Sequence, residues 1–183
     1  MTRIEDLAES FGRHIATSWQ RTVAGAQRVV IVVYDKELER TLRARKLAFE
    51  TAAREAGHEW RELDLADAFA QWMAADEYKD EYFMSPEDIQ LKLEAEFHVY
   101  VADLVRSTLC RADVTENTVV ALLGTGSLFG LARISEVLRI IEGDIEGRLV
   151  VFFPGHFERN NYRLLDARDG WNYLAVPITT HNE

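Results

Sequence analysis

Four groups of residues in this sequence have types and spacings that could do chemistry. The sharpest is Gly124-Thr125-Gly126-Ser127-Leu128-Phe129-Gly130. A glycine-rich turn between a strand and a helix can aim backbone N–H groups at a phosphate. A phosphate-gripping Walker loop also needs a lysine beside its Ser or Thr. The lysines are Lys36, Lys46, Lys79 and Lys92, and none lies beyond position 92. The glycine spacing also departs from G-x-G-x-x-G, and Pro154-Gly155 stands where an acid would follow the next strand. The turn therefore reads first as a close approach of helix and strand, with nucleotide or phosphate binding as the alternative.

The second group is acidic. Asp35 follows Tyr34, and Asp64 lies at the end of a second strand-like stretch, 58–65. Carboxylates at the ends of neighbouring strands could share a divalent cation. Capping of the helices that follow explains both equally well. The third group is the histidines, His14, His58, His98, His156 and His181. None forms an H-x-x-x-H pair, so the spacing gives no histidine-rich metal site. His156, after Pro154-Gly155, is the one placed where a ligand would be expected. Ser127 lacks the G-x-S-x-G context of a nucleophile elbow, and Cys110 has no evident base nearby. The fourth group is the stretch 160–173, which carries Tyr162, Arg163, Arg168, Trp171 and Tyr173. Tyr, Trp and Arg dominate binding energy at protein interfaces, so these are the candidate partner contacts.

The elements that position these residues follow from periodicity. Ile4, Leu7, Phe11, Ile15 and Trp19 recur at helical spacing after a Thr2–Glu5 capping box, predicting a helix that ends by Gly25. Arg28-Val29-Val30-Ile31-Val32-Val33-Tyr34 is β-branched and apolar on both faces, as a buried parallel strand is. Leu38, Leu42, Phe49 and Ala53 mark a helix that Gly57 stops. A strand over 58–65 precedes a helix with Phe69, Trp72 and Met73, and the charged run 76–82 reads as a loop. Ser85-Pro86-Glu87-Asp88 is a helix start, with Ile89, Leu93, Phe97, Tyr100, Leu104 and Leu109 as its buried stripe. A strand over 118–123 leads into the glycine turn. A helix to Ile141, a strand over 148–153 and two short strands, 162–165 and 173–178, complete the chain.

Strands alternating with helices predict an α/β fold with a mostly parallel sheet and helices on both faces, Rossmann-like or degenerate P-loop-like. A chain of 183 residues suits one domain over 1–183, with the helix of 1–25 packed on it. In open α/β sheets ligands sit beyond the strand C-termini. That edge would gather Tyr34, Asp35, Asp64, Gly124, Thr125, Gly126, Ser127, Pro154, Gly155 and His156.

Composition limits the function classes. The formal net charge is −10, which weighs against direct DNA binding, because that relies on cations neutralising phosphates. A single cysteine gives neither an internal disulfide nor a cysteine zinc site. The acids near Met1 do not resemble a signal peptide, and the longest uncharged stretch, 117–132, is shorter than the ~20 residues of a membrane span. A cytoplasmic protein without a cofactor is the expectation.

Leu122-Leu123-Gly124-Thr125-Gly126-Ser127-Leu128-Phe129, an amphipathic helix, Leu149-Val150-Val151-Phe152-Phe153-Pro154-Gly155 and then Tyr162-Arg163-Leu164 together resemble the BrxB family of BREX (bacteriophage exclusion) systems. That family has a G-x-G-S/A-L-Y-P turn after one strand and F-[FY]-P-G-x-Y at the end of the next. Phe129-Gly130 here replaces Tyr-Pro, and Phe157 replaces the Tyr. The resemblance covers most of the region from Arg28 to Ile178. It implies antiviral defence beside a PglZ-type phosphatase-like protein, a DNA methyltransferase and a large ATPase, and it carries over no catalytic residue. The leading expectation is a non-enzymatic adaptor for the PglZ-type protein. A nucleotide- or phosphate-binding domain comes second. A metal-dependent hydrolase using Asp35, Asp64 and His156 comes last.

Overall fold

The structure, a computed structural model, describes residues 3–180. Helix α1 (Arg3–Ile15) leads to β1 (Val29–Tyr34), α2 (Glu39–Arg45), α3 (Leu47–Glu55) and β2 (Glu59–Asp64). Next come α4 (Ala68–Ala74), α5 (Lys79–Met84), α6 (Gln90–Lys92), a π-helical turn over Leu93–Phe97 and α7 (His98–Leu109). The chain finishes with β3 (Thr118–Leu123), α8 (Ile134–Ile141), β4 (Arg148–Glu158), β5 (Asn161–Leu164) and β6 (Val176–Ile178).

Strands β2, β3, β4, β1 and β6 lie side by side in that order and all run parallel. The second half of β4 leaves them to form an antiparallel hairpin with β5. The α/β expectation holds. The central strands are buried on both faces because their side chains alternate between two cores. Val29, Ile31 and Val33 of β1, with Leu149, Val151 and Phe153 of β4, meet α4, α7 and α8. Val30, Val32, Val150 and Phe152 meet α1, α2 and α3 on the opposite face.

Four expectations need correction. The first helix ends at Ile15, ten residues before Gly25, so Trp19 lies outside it. Its Thr2 cap falls outside the described residues. The run 76–82 is not all loop: α5 occupies Lys79–Met84, and the carboxylate of Asp76 is ion-paired with Lys92 across the chain. That pair ties the charged segment down. Strand β4 does not stop at Pro154-Gly155 but continues to Glu158. A proline can sit there because the strand is changing partners, and at Gly155 a Cβ would collide with the Arg163 carbonyl of β5. Asp64 does not cap the next helix: that helix starts at Ala68, and Asp64 Oδ1 accepts the Ala66 N–H at 3.0 Å instead.

Candidate functional site

The strand order separates the two acids of the sequence reading. Asp35 ends β1 and Asp64 ends β2, with β4 and β3 between them, so they cannot share a cation. Each has its own cationic partner. Arg3 reaches Asp35 at 2.6 Å, and Arg43 reaches Asp64 at 2.6 Å. Arg43 also binds Glu39 at 2.8 Å, and Glu39 accepts the phenol of buried Tyr34 at 2.5 Å. The result is a chain of contacts, Tyr34–Glu39–Arg43–Asp64, that straps one face of the sheet. Hydrogen bonding to Arg43 holds the Asp64 carboxyl below its usual range. Burial, and then the neighbouring Glu39, drive the Tyr34 phenol far above its usual value, so it stays protonated.

The glycine turn is filled by its own protein. Gly124 adopts φ of +73° and packs against Asp64 and Ala66, leaving no space for a Cβ. The buried Thr125 hydroxyl donates to the Phe152 carbonyl at 2.6 Å. A Cβ on Gly126 would lie 3.2 Å from Pro154. The Ser127 and Phe129 N–H groups bond back to Gly124 and Gly126. This turn brings β3 and the following segment against β4, and these bonds turn inward.

Tyr34, Asp35, Gly155 and His156 do come together. With Arg3 and Arg159 they line a cavity of about 770 Å³ at the C-terminal ends of β1 and β4. Val33 and Tyr34 pair with Phe153 and Pro154 in register, which sets Asp35 beside Gly155. His156 is exposed, and Asp166 beside it is ion-paired with Lys36. Pro154 lies at the back, against the glycine turn.

The partner candidates divide by depth. Tyr162 is fully buried, against Phe153, Phe157 and Trp171, and so cannot touch a partner in the folded chain. Tyr173 is half-buried and bonded through its hydroxyl to Glu142 at 2.5 Å. Arg163 and Arg168 are exposed. Arg168 and Trp171 line a groove of about 770 Å³ together with Leu93, Glu94, His98 and exposed Phe129. The sequence reading missed this groove's other wall. Phe129 was legible only as part of the turn, and Glu94 and His98 only as helix surface.

Among the described residues no group of three or more His, Cys, Asp or Glu is placed to hold a metal ion. No helix there is long and apolar enough to cross a membrane.

The fold and its strand-end cavities define an α/β protein with a five-strand parallel sheet and an appended hairpin. Residues 61–178, β2 through β6, match the family described as BREX protein BrxB, and the chain belongs to that family. It is thus a component of BREX phage defence. Comparison with curated proteins and with solved structures gives no match.

Proposed function

We propose that this chain is a non-enzymatic adaptor of a BREX assembly, and that it binds the PglZ-type phosphatase-like protein. The observation that carries this reading is the groove between the α6–α7 run and the C-terminal segment. There exposed Phe129 and half-buried Trp171 flank exposed Arg168. An aromatic pair around an arginine, partly desolvated and rimmed by Glu94, is the composition of an interface hot spot. Two backbone bonds to Tyr162, at 2.7 and 2.9 Å, fix the Trp171 main chain, and its ring packs on Phe153 and Tyr162 with centres 5.7 and 5.0 Å away, so little entropy is lost when a partner covers it.

Co-expression of the tagged chain with the PglZ-type protein, followed by size-exclusion chromatography with light scattering, tests this. A stoichiometric complex is expected, and Phe129→Asp or Arg168→Glu is expected to dissociate it. Asp35→Asn and His156→Ala, at the other cavity, are expected to leave it intact. Separate elution of the two wild-type proteins would overturn the reading.

A further inference from the structure

The opposite edge of the sheet holds a third cavity, of about 870 Å³, at the strand N-termini. Arg28 precedes β1, His58 precedes β2, Asn117 precedes β3 and Arg148 opens β4, and all four line it with Trp19 and Arg21. Arg148 is only 8% exposed. Its guanidinium donates to the Gly147 carbonyl at 3.0 Å and lies 4.8 Å from the centre of the Trp19 ring. No carboxylate among the described residues pairs with it. Burial, and then the positive charge of Arg28, lower its proton affinity.

Arg28 repeats the pattern. Its terminal nitrogens donate to the carbonyls of Ile145, Arg21 and Glu146, while its Nε–H is buried with no acceptor among the described residues. The other arginines with no carboxylate partner among the described residues, at 40, 133, 139, 159, 163 and 168, are all exposed. In a chain of net charge −10, buried Arg148 and half-buried Arg28, neither with a carboxylate partner among the described residues, thus face one cavity. Withdrawing a cation from water without an anion is strongly unfavourable. The acids nearby do not supply that anion: Glu116 is taken by Arg21 at 3.0 Å, and Glu146 is exposed at the rim.

The remaining wall is rigid. Trp19 stacks on His58 with ring centres 3.6 Å apart and planes within 9°. His58 Nδ1 lies 2.6 Å from Asn117 Oδ1, and the Asn117 amide donates to the Gly57 carbonyl at 2.8 Å. We infer that this cavity is a binding site for an oxyanion, a phosphate or carboxylate group, gripped by the Arg148 guanidinium with Arg28 behind it and Trp19 as the wall. A guanidinium presents paired N–H donors that match the two oxygens of either group.

The test is thermal unfolding of the full chain titrated with inorganic phosphate, and separately with acetate, at ionic strength held constant with chloride. Wild type should show a saturable rise in melting temperature with at least one anion, following RT ln(1 + [L]/Kd). Phosphate alone acting would assign a phosphate-bearing ligand, and acetate alone a carboxylate. Arg148→Met keeps an unbranched apolar stem and removes the charge. It should show no saturable rise, and without anion it should melt at or above wild type. General exclusion of phosphate from protein surfaces raises both proteins equally and without saturation. Equal rises in both, or no saturable rise in wild type, would overturn the site. If Arg148→Met does not fold, the Trp19 indole N–H resonance of the wild type decides. It should move on phosphate or acetate addition, and an unmoved resonance would count against the site as fully.

Discussion

Thr125 and Tyr162 show two opposite fates of a buried hydroxyl. The Thr125 hydroxyl is wholly buried and donates to Phe152 in the central strand. Thr125→Val keeps the shape and strands that carbonyl's partner position, so a loss of about 1–3 kcal/mol is expected in urea unfolding. Tyr162 is the converse case. Its hydroxyl is buried with no hydrogen-bond partner among the described residues, and burial pushes its pKa well above the ordinary phenol value. Tyr162→Phe removes a desolvated group that earns nothing, so stability should be unchanged or raised. A loss above about 1 kcal/mol, the worth of a typical hydrogen bond, would show that the hydroxyl has a partner after all. From sequence, both residues looked like surface chemistry, a turn hydroxyl and an interface tyrosine. What their neighbours do with them depends on contacts at 27 residues' separation for Thr125 and on the depth of the aromatic cluster for Tyr162. No local pattern contains either fact.

At the scale of elements, the α5–α7 run stands out. Met84 is 86% exposed, Leu91 79% and Phe83 68%. They sit within residues 76–96, where eight acids face two lysines. Gln90 and Glu94 of the same run line the groove proposed for the partner, so these exposed apolar residues are the next candidates for contact with it. Met84→Lys and Leu91→Glu should leave the melting temperature nearly unchanged, since exposed sites contribute within about 0.5 kcal/mol. They should weaken the adaptor complex, read by chromatography as a shift towards free subunits. The anchoring of this run also depends on pH. Hydrogen bonds from Lys92, and then from the Tyr78 backbone, hold the Asp76 carboxyl below its ordinary value. A carboxyl depressed in the folded state contributes stability above its unfolded pKa of about 3.9 and loses it as pH falls through the lower folded value. Amide exchange across 79–97 should therefore quicken below about pH 4 relative to the central strands, and Asp76→Asn should remove that difference. The charge density that hid α5 from the sequence reading is thus the feature that fastens it. By contrast, β1 and β3 were legible in outline because burial on both faces leaves an uninterrupted apolar run. The continuation of β4 was not, because Pro154-Gly155 has the local signature of a stop.

For the whole molecule, the class of fold could be read from alternation, but not the order β2-β3-β4-β1-β6, which no periodicity encodes. That order decided the candidate site. It moved Asp64 away from Asp35, kept Tyr34, Asp35 and His156 together, and gathered Arg28, His58 and Arg148 at the edge the sequence reading had left aside. It also makes the two cores inseparable. Adjacent residues of β4 feed opposite faces, Phe152 into the layer of α1 and α3, and Phe153 into the layer of α7 and α8. Neither layer can melt without exposing the strand that the other needs. Phe152→Ala, which empties a space beside Phe49 at 4.9 Å between ring centres, should cost about 3–5 kcal/mol. That loss should lower the stability of both layers together. Trp60 reports on one layer, and Trp72 with Trp171 on the other, so single-tryptophan variants can follow each. Their fluorescence transitions in urea should coincide with each other and with far-ultraviolet circular dichroism, in wild type and in Phe152→Ala alike. Two separated midpoints would mean that each face folds on its own and that β4 is not the joint between them.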